Sequence, residues 1–128
     1  MRAGEYFSAP QVATIRKAMS TAERVSGLSF SVYVGVAEED AQRYARRLHA
    51  ALADPDHSVL VLCDPEFRAL EIVTGAAARR NLDDTAVGLA AATMQTSFAV
   101  GDISGGLVAG INQLGDAARA PQTLHARD

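Results

Sequence analysis

The chain contains no tryptophan, aromatic residues make up only 5% of it, and Cys63 is its single cysteine. One thiol cannot form an intramolecular disulfide, so the fold has to be held by a hydrophobic core without covalent cross-links. With few large rings, that core must consist mainly of alanine, valine, leucine and isoleucine. A length of 128 residues is typical of one domain, and we expect a single domain with its core over residues 8–116.

A strong excess of one charge is also absent, because 12 basic residues face 15 acidic ones and the formal net charge is -3. That balance does not indicate a nucleic-acid partner or an anionic membrane. The sequence shows neither a signal peptide nor an apolar run of the roughly 20 residues that cross a bilayer. We therefore expect a soluble, cytoplasmic protein with no direct membrane insertion.

Apolar periodicity predicts the elements of the first third of the chain. Ser8 caps a helix whose apolar residues recur every three or four positions, and Gly27 ends it. Residues 28–36 alternate between apolar and polar side chains, which is typical of a strand. The acids at positions 38–40 begin a second helix, where the dipole favours them. We place these residues on the solvent-exposed side of that helix: Arg43, Arg46, Arg47 and His49.

The middle of the chain reads as a β-hairpin. Residues 58–63 form a nearly continuous apolar run, as expected of an inner strand covered on both faces. Asp64 and Pro65 then open a turn, and residues 69–74 complete the hairpin. A short helix over residues 76–82 follows.

Helices complete the chain. Asp83 and Asp84 begin a helix that continues to about residue 99, and Asp102 begins the last one. Residues 120–128 have little to bury and are expected to fray. The order α-β-α-β-β-α-α-α predicts an α/β fold in which helices pack on the faces of a mixed β-sheet of three or more strands.

Several short pieces, in order along the chain, resemble one protein family. They are residues 22–28, residues 59–64 leading through Arg68 to residues 71–75, Leu82 to Asp84, and Phe98 with residues 101–114. On these pieces the chain resembles the TPM-domain family of thylakoid-lumen and related proteins from about Ser8 to Gly115, and more closely an actinobacterial branch of uncharacterised proteins. The resemblance implies helices around a central sheet. Some members of that family are described as calcium-associated acid phosphatases, and others as accessory factors for membrane complexes.

The acids at the positions that match the family are the candidate site residues: Asp64, Asp102, Asp83 and Asp84. Converging carboxylates would bind Ca²⁺ or Mg²⁺, and such an ion could hold and polarise a phosphate ester. Asp64 follows the second strand, at the edge where open α/β sheets bind ligands, and the helix before Asp102 can return to that edge. Asp64 with Asp102 is therefore the best pair. Each acid also has a structural explanation as a turn opener or a helix cap, and we favour that explanation for each of them.

Two functions remain open at this level. We favour a non-catalytic interaction or accessory module that binds a protein partner and that a cation could stabilise, because the sequence shows neither a catalytic motif nor a membrane anchor. The alternative is a divalent-metal-dependent acid phosphatase that uses Asp64 and Asp102 as ligands. A structural dimer is a third option, since the sequence leaves the oligomeric state undetermined.

Overall fold

The computed structural model describes residues 6–119. Its regular elements in chain order are α1 (Ala9–Ser26), β1 (Ser29–Val34), α2 (Ala41–Ala50), β2 (Ser58–Asp64), β3 (Ala69–Thr74), α3 (Asp84–Ala99) and α4 (Ile103–Ala117). A 3-10 turn, Pro55–His57, precedes β2, and another, Ala78–Arg80, separates β3 from α3. The predicted α/β fold and element order are confirmed. The short helix predicted over residues 76–82 is the second of these turns, and the predicted tail, residues 120–128, lies outside the described residues.

α1 begins and ends at the signals that the sequence contains. The Ser8 hydroxyl accepts a hydrogen bond from the Gln11 amide at 3.3 Å, and the Gln11 side-chain oxygen accepts one from the Ser8 amide at 2.8 Å. This capping box satisfies two backbone donors at the start of the helix. At the other end Gly27 has a φ of 77°, in the left-handed region that glycine adopts without steric cost.

β2 is the central strand of the sheet, with parallel β1 on one side and antiparallel β3 on the other. Every residue of β2 is buried, which confirms the prediction of an inner strand covered on both faces. Val34 pairs with Cys63 at the ends of β1 and β2, and Ala69 at the start of β3 pairs with Asp64. The ends of the two parallel strands and the beginning of the third therefore meet at one edge.

The two faces of the sheet carry helical layers of different size. On one face α2 packs alone, with Tyr44 against Leu60 and Leu62. On the other face α1, α3 and α4 enclose a larger core that includes Val61 and Met94. Alternate residues of β2 enter different cores because successive side chains of a strand point to opposite faces.

Glycines of α4 allow its close contact with α3. A Cβ atom added at Gly106 would lie 2.8 Å from Cε1 of Phe98, and one added at Gly110 would overlap Met94. Only the absence of a side chain permits these separations. Within residues 6–119, no helix is both long and apolar enough to cross a membrane.

The prediction that His49 faces solvent was wrong. His49 is 8% exposed, and its Nε2 donates a hydrogen bond to the Ser58 carbonyl at 3.0 Å. It follows buried Ala45 by four residues, which places both side chains on one face of the helix. The Gly75 amide donates to the same oxygen at 3.0 Å, so the imidazole is the second donor to this buried carbonyl at the beginning of β2.

Candidate functional site

Asp64, one of the best pair of predicted site residues, lies at the edge of the sheet where β2 ends. Because β1 and β2 are parallel, the segments that follow them, residues 35–40 and 65–68, leave the sheet at the same edge. Open α/β sheets bind ligands at this carboxyl edge of their strands. Asp64, the last residue of β2, contacts both segments.

Asp64 is 1% exposed, and backbone amides occupy both of its carboxylate oxygens. Oδ2 accepts a hydrogen bond from the Ala37 amide at 3.0 Å. Oδ1 accepts hydrogen bonds from the Glu66 amide at 3.1 Å and the Phe67 amide at 3.2 Å. Hydrogen bonds to an ionised group are stronger than neutral ones. Asp64 therefore ties the segment after β1 to the β2–β3 turn, which confirms its predicted role as a turn opener.

Two of the other candidate acids cap helices. The Asp102 carboxylate accepts a hydrogen bond from the Gly105 amide at 2.9 Å at the start of α4. The Asp83 carboxylate accepts one from the Ala86 amide at 2.9 Å at the start of α3. Asp84 is the first residue of α3 and is exposed. The capping roles that the sequence offered as alternatives are thus present in the structure.

The four acids do not gather around one point. α3 has 16 residues and spans about 24 Å at 1.5 Å per residue, and its C-terminal end, at Phe98, reaches the edge at Asp64. The two acids at its start are therefore far from that edge. Ile103, the neighbour of Asp102, also reaches it, but within residues 6–119 no three His, Cys, Asp or Glu side chains are placed to hold a metal ion. A site for Ca²⁺ or Mg²⁺ stays a prediction.

A pocket of about 310 Å³ lies between the β2–β3 turn and the end of α3, and we call it the turn pocket. Leu70, Phe98 and Ile103 give it apolar walls, and Arg68 and Gln95 contribute polar groups. It is a small concave site in which a few polar groups accompany an apolar lining, as in many ligand sites.

A groove of about 340 Å³ lies on the other side of the same turn, against the start of α2, and we call it the acidic groove. Ala37, Phe67 and Ala69 form its apolar part, and Glu38 and Glu39 its acidic part. The buried carboxylate described above lines both the groove and the turn pocket.

The glutamates of the groove form ion pairs with exposed arginines of α2. Arg47 lies 3.2 Å from Glu39 and 3.8 Å from Glu38, and Arg43 lies 4.0 Å from Glu39. The Arg47 guanidinium is also 5.1 Å from the centre of the Tyr44 ring. Ion pairs at the protein surface contribute about 0–1 kcal/mol each.

Comparison with known proteins places the chain in a family. A family model described as a domain of unknown function, DUF5130, matches residues 3–115, which is most of the chain. The chain belongs to the DUF5130 family. The resemblance of this DUF5130 domain to the TPM-domain family stays a prediction.

Curated relatives of the DUF5130 domain occur in Mycobacterium tuberculosis. They are the uncharacterised proteins Rv2468c of strain H37Rv and MT2543 of strain CDC 1551, each 26% identical over 108 residues. The match includes 84% of this chain and 65% of each relative. The chain therefore spans about two thirds of the length of the relatives.

Solved structures resemble the DUF5130 domain in fold. The BA42 protein from Bizionia argentinensis has a TM-score of 0.80 at 21% identity, over 88% of this chain and 81% of that one. The N-terminal domain of the cg2496 protein from Corynebacterium glutamicum has a TM-score of 0.70 at 15% identity, over 95% and 82%. A domain from P. gingivalis has a TM-score of 0.69 at 18% identity, over 88% and 76%. At these identities the likeness shows the fold alone.

Burial and negative charge act on the ionisable groups of this edge of the DUF5130 domain. Burial raises the pKa of Tyr33 to about 12, and contacts with Tyr44 and the charges of Glu38 and Asp64 add to the rise. Burial likewise raises the pKa of the Cys63 thiol to about 11, and Asp64 adds to it. The fully buried thiol is therefore protonated at neutral pH, which agrees with the inert role expected from the sequence.

Sequence reasoning placed Phe67 and Arg68 in a turn and gave neither a functional role. In the DUF5130 domain Phe67 is 74% exposed, and Arg68 has a φ of 55°. A signal was present, because a large apolar residue in a turn is not explained by turn chemistry, which favours small and polar residues. The apolar pattern cannot distinguish such a ring from one that folds back over the core.

Proposed function

We propose that this domain is a non-catalytic interaction module that binds a protein partner at the acidic groove. The observation that carries the proposal is the exposed ring of Phe67, on a turn whose backbone is held by buried Asp64. Burying a phenylalanine side chain contributes about 1.5–3 kcal/mol, and aromatic residues are enriched in protein interfaces. An exposed ring on an anchored turn is suited to be the centre of an interface.

The surroundings of Phe67 indicate the chemistry of the partner. Glu38 and Glu39 line the same groove as the ring and supply its acidic groups. A partner segment that places an apolar side chain against Phe67 and a Lys or Arg beside it would match both features. Complementary charge mainly increases the association rate and the specificity.

The proposal is tested with short synthetic peptides in which Leu and Phe alternate with Lys and Arg. The amide signals of ¹⁵N-labelled protein are followed during titration, and we expect saturable shifts at residues 37–41 and 66–69. The affinity derived from them should decrease when salt is added. Phe67→Ser should reduce the affinity about tenfold or more, because the buried ring is lost from the interface.

Leu89→Ser is the matched control, since Leu89 is also a large exposed apolar residue but lies on α3, outside the groove. It should leave peptide binding unchanged. Peptides with Glu in place of every Lys and Arg should bind more weakly than the basic ones. Equal binding of the two peptide classes, or an equal loss in the Leu89 and Phe67 variants, would contradict the proposal.

The cation and the phosphatase alternative have a separate test. A cation that binds only the native state raises the melting temperature, so unfolding of metal-stripped protein is compared with and without millimolar Ca²⁺ or Mg²⁺. A rise that both Asp64→Ala and Asp102→Ala abolish would favour a shared metal site and make phosphate-ester hydrolysis the next assay. An unchanged melting temperature would contradict the metal site and the phosphatase together.

A further inference from the structure

We propose that the turn pocket binds a small amphipathic anion, with a carboxylate at Arg68 and an apolar body against Phe98. This site is independent of the proposed function, because the turn pocket and the acidic groove lie on opposite sides of the β2–β3 turn. Its volume of about 310 Å³ is at the lower end of the range of small-molecule sites. The pocket therefore suits a small ligand rather than a folded segment.

Arg68 provides a cation that the protein itself does not neutralise. Within residues 6–119, the arginines in ion pairs are Arg43, Arg47 and Arg119, and Arg68 has no such partner. Asp64 also lines the pocket, but its two oxygens are occupied by three backbone amides. A guanidinium binds a carboxylate through two parallel N–H donors. The unpaired cation at this pocket thus favours a ligand with an anionic end.

The backbone of Arg68 supports a role for its side chain. Its φ of 55° lies in the left-handed region, and within residues 6–119 it is the one residue other than glycine with a positive φ. A side chain is strained there because its Cβ crowds the next carbonyl, whereas glycine is not. Strain of this kind is concentrated at ligand sites. The turn keeps an arginine at a position where the backbone favours glycine.

The remaining lining describes the rest of the ligand. Leu70, Phe98 and Ile103 present apolar surface, and Gln95 adds an amide. An exposed ion pair alone is weak in water, so a bare anion would gain little affinity. A ligand that also transfers apolar surface into the pocket gains from the hydrophobic effect. Both parts of an amphipathic carboxylate are therefore needed for binding.

Octanoate is the probe, used below the concentration at which it forms micelles. During titration into ¹⁵N-labelled protein we expect saturable shifts of the amide signals of residues 66–70 and 95–103, with those of residues 38–41 unaffected. Octylamine has the same apolar chain and the opposite charge, and should bind at least about tenfold more weakly. Equal affinity of the two probes would overturn the assignment, as would the absence of saturable shifts with octanoate.

Arg68→Gly is the informative variant, because glycine adopts the positive φ and the turn is retained. Its affinity for octanoate should fall about tenfold or more, while the affinity for neutral octanol stays at the wild-type value. Arg80→Gln removes an exposed arginine away from the pocket and should not change octanoate binding. Wild-type octanoate affinity in Arg68→Gly would overturn the proposal. Peptide binding at the groove is measured separately, so failure of one proposal does not imply failure of the other.

Discussion

The acidic groove and the turn pocket share one turn but differ in charge. Asp64 and Ala69 line both hollows. Glu38 and Glu39 stand on the groove side, and an arginine without an ion-pair partner stands on the pocket side. Asp64 contributes the same charge to both hollows and its oxygens accept from backbone amides, so the difference in charge between the hollows comes from their other walls.

At this edge, a residue that holds the backbone together lies beside residues whose side chains are open to solvent. Asp64 is buried and its acceptors are used, whereas Phe67 and Arg68 in the same turn are exposed. A ligand gains most from groups that folding has left unsatisfied. The binding groups that we propose at this edge are therefore the exposed neighbours of Asp64 in the turn.

The largest expected effect is the loss of stability when Asp64, which lines both hollows, is replaced. Asp64→Ala leaves three amides without their acceptor, and since a buried unpaired donor costs about 1–3 kcal/mol, we expect a loss of about 3 kcal/mol or more. Asp102→Ala removes one exposed cap bond and should cost about 1 kcal/mol. Urea unfolding measures both losses. Equal losses in the two variants would show that Asp64 is not a structural anchor.

The next largest effect is expected from Gly106→Ala, which should disturb the wall of the turn pocket and leave the acidic groove unchanged. In Gly106→Ala the new methyl group meets Phe98, so we expect a loss of about 1–3 kcal/mol and altered octanoate binding with unchanged peptide binding. Gly88→Ala is the control, since nothing lies within 4 Å of a Cβ there, and it should stabilise the helix by about 0.5–1 kcal/mol. Thermal unfolding gives the sign of each change. A stabilised Gly106 variant would refute the close contact.

The pH dependence of stability should show the burial of Cys63 beside the pocket. Its pKa is raised from 9.0 to about 11, so the folded state favours the protonated thiol. The resulting stabilisation is complete below pH 9 and is lost as the pH rises towards 11. The free energy of unfolding is therefore measured at pH 8 and at about pH 10.5, and its decrease between the two should be larger in the wild type than in Cys63→Ala. Tyr33 titrates in both proteins, so the difference between them belongs to the thiol. The same loss in both proteins would argue against a buried thiol.

The smallest effect should appear on the α2 side of the sheet. Burial raises the pKa of Glu71 above 4.5, the charge of Asp40 adds to the rise, and Arg46 opposes it. Stability from this group is present below pH 4.5 and is lost as the carboxyl ionises at higher pH. Glu71→Gln should therefore raise the melting temperature at neutral pH by about 1–2 °C and leave it unchanged in acid. Glu66→Gln, an exposed carboxylate in the turn, serves as the control.

Local signals made much of the fold predictable. Ser8, Asp83 and Asp102 each cap a helix at the predicted position, because a cap depends on amides only two or three residues away. The buried central strand followed from its apolar run. His49 was misplaced because the carbonyl that it binds belongs to Ser58 on another element, and no periodicity within one helix reports such a partner.

The sequence by itself determined the order of the elements, the mixed sheet and the position of an acid at the end of its central strand. Those properties follow from contacts between near neighbours and from the alternation of apolar residues. Only the tertiary structure decided that Asp64 is occupied by amides from two segments, one of them 27 residues away, and that Phe67 is left exposed. Whether a polar group is satisfied, or a ring covered, depends on atoms that distant parts of the chain bring together.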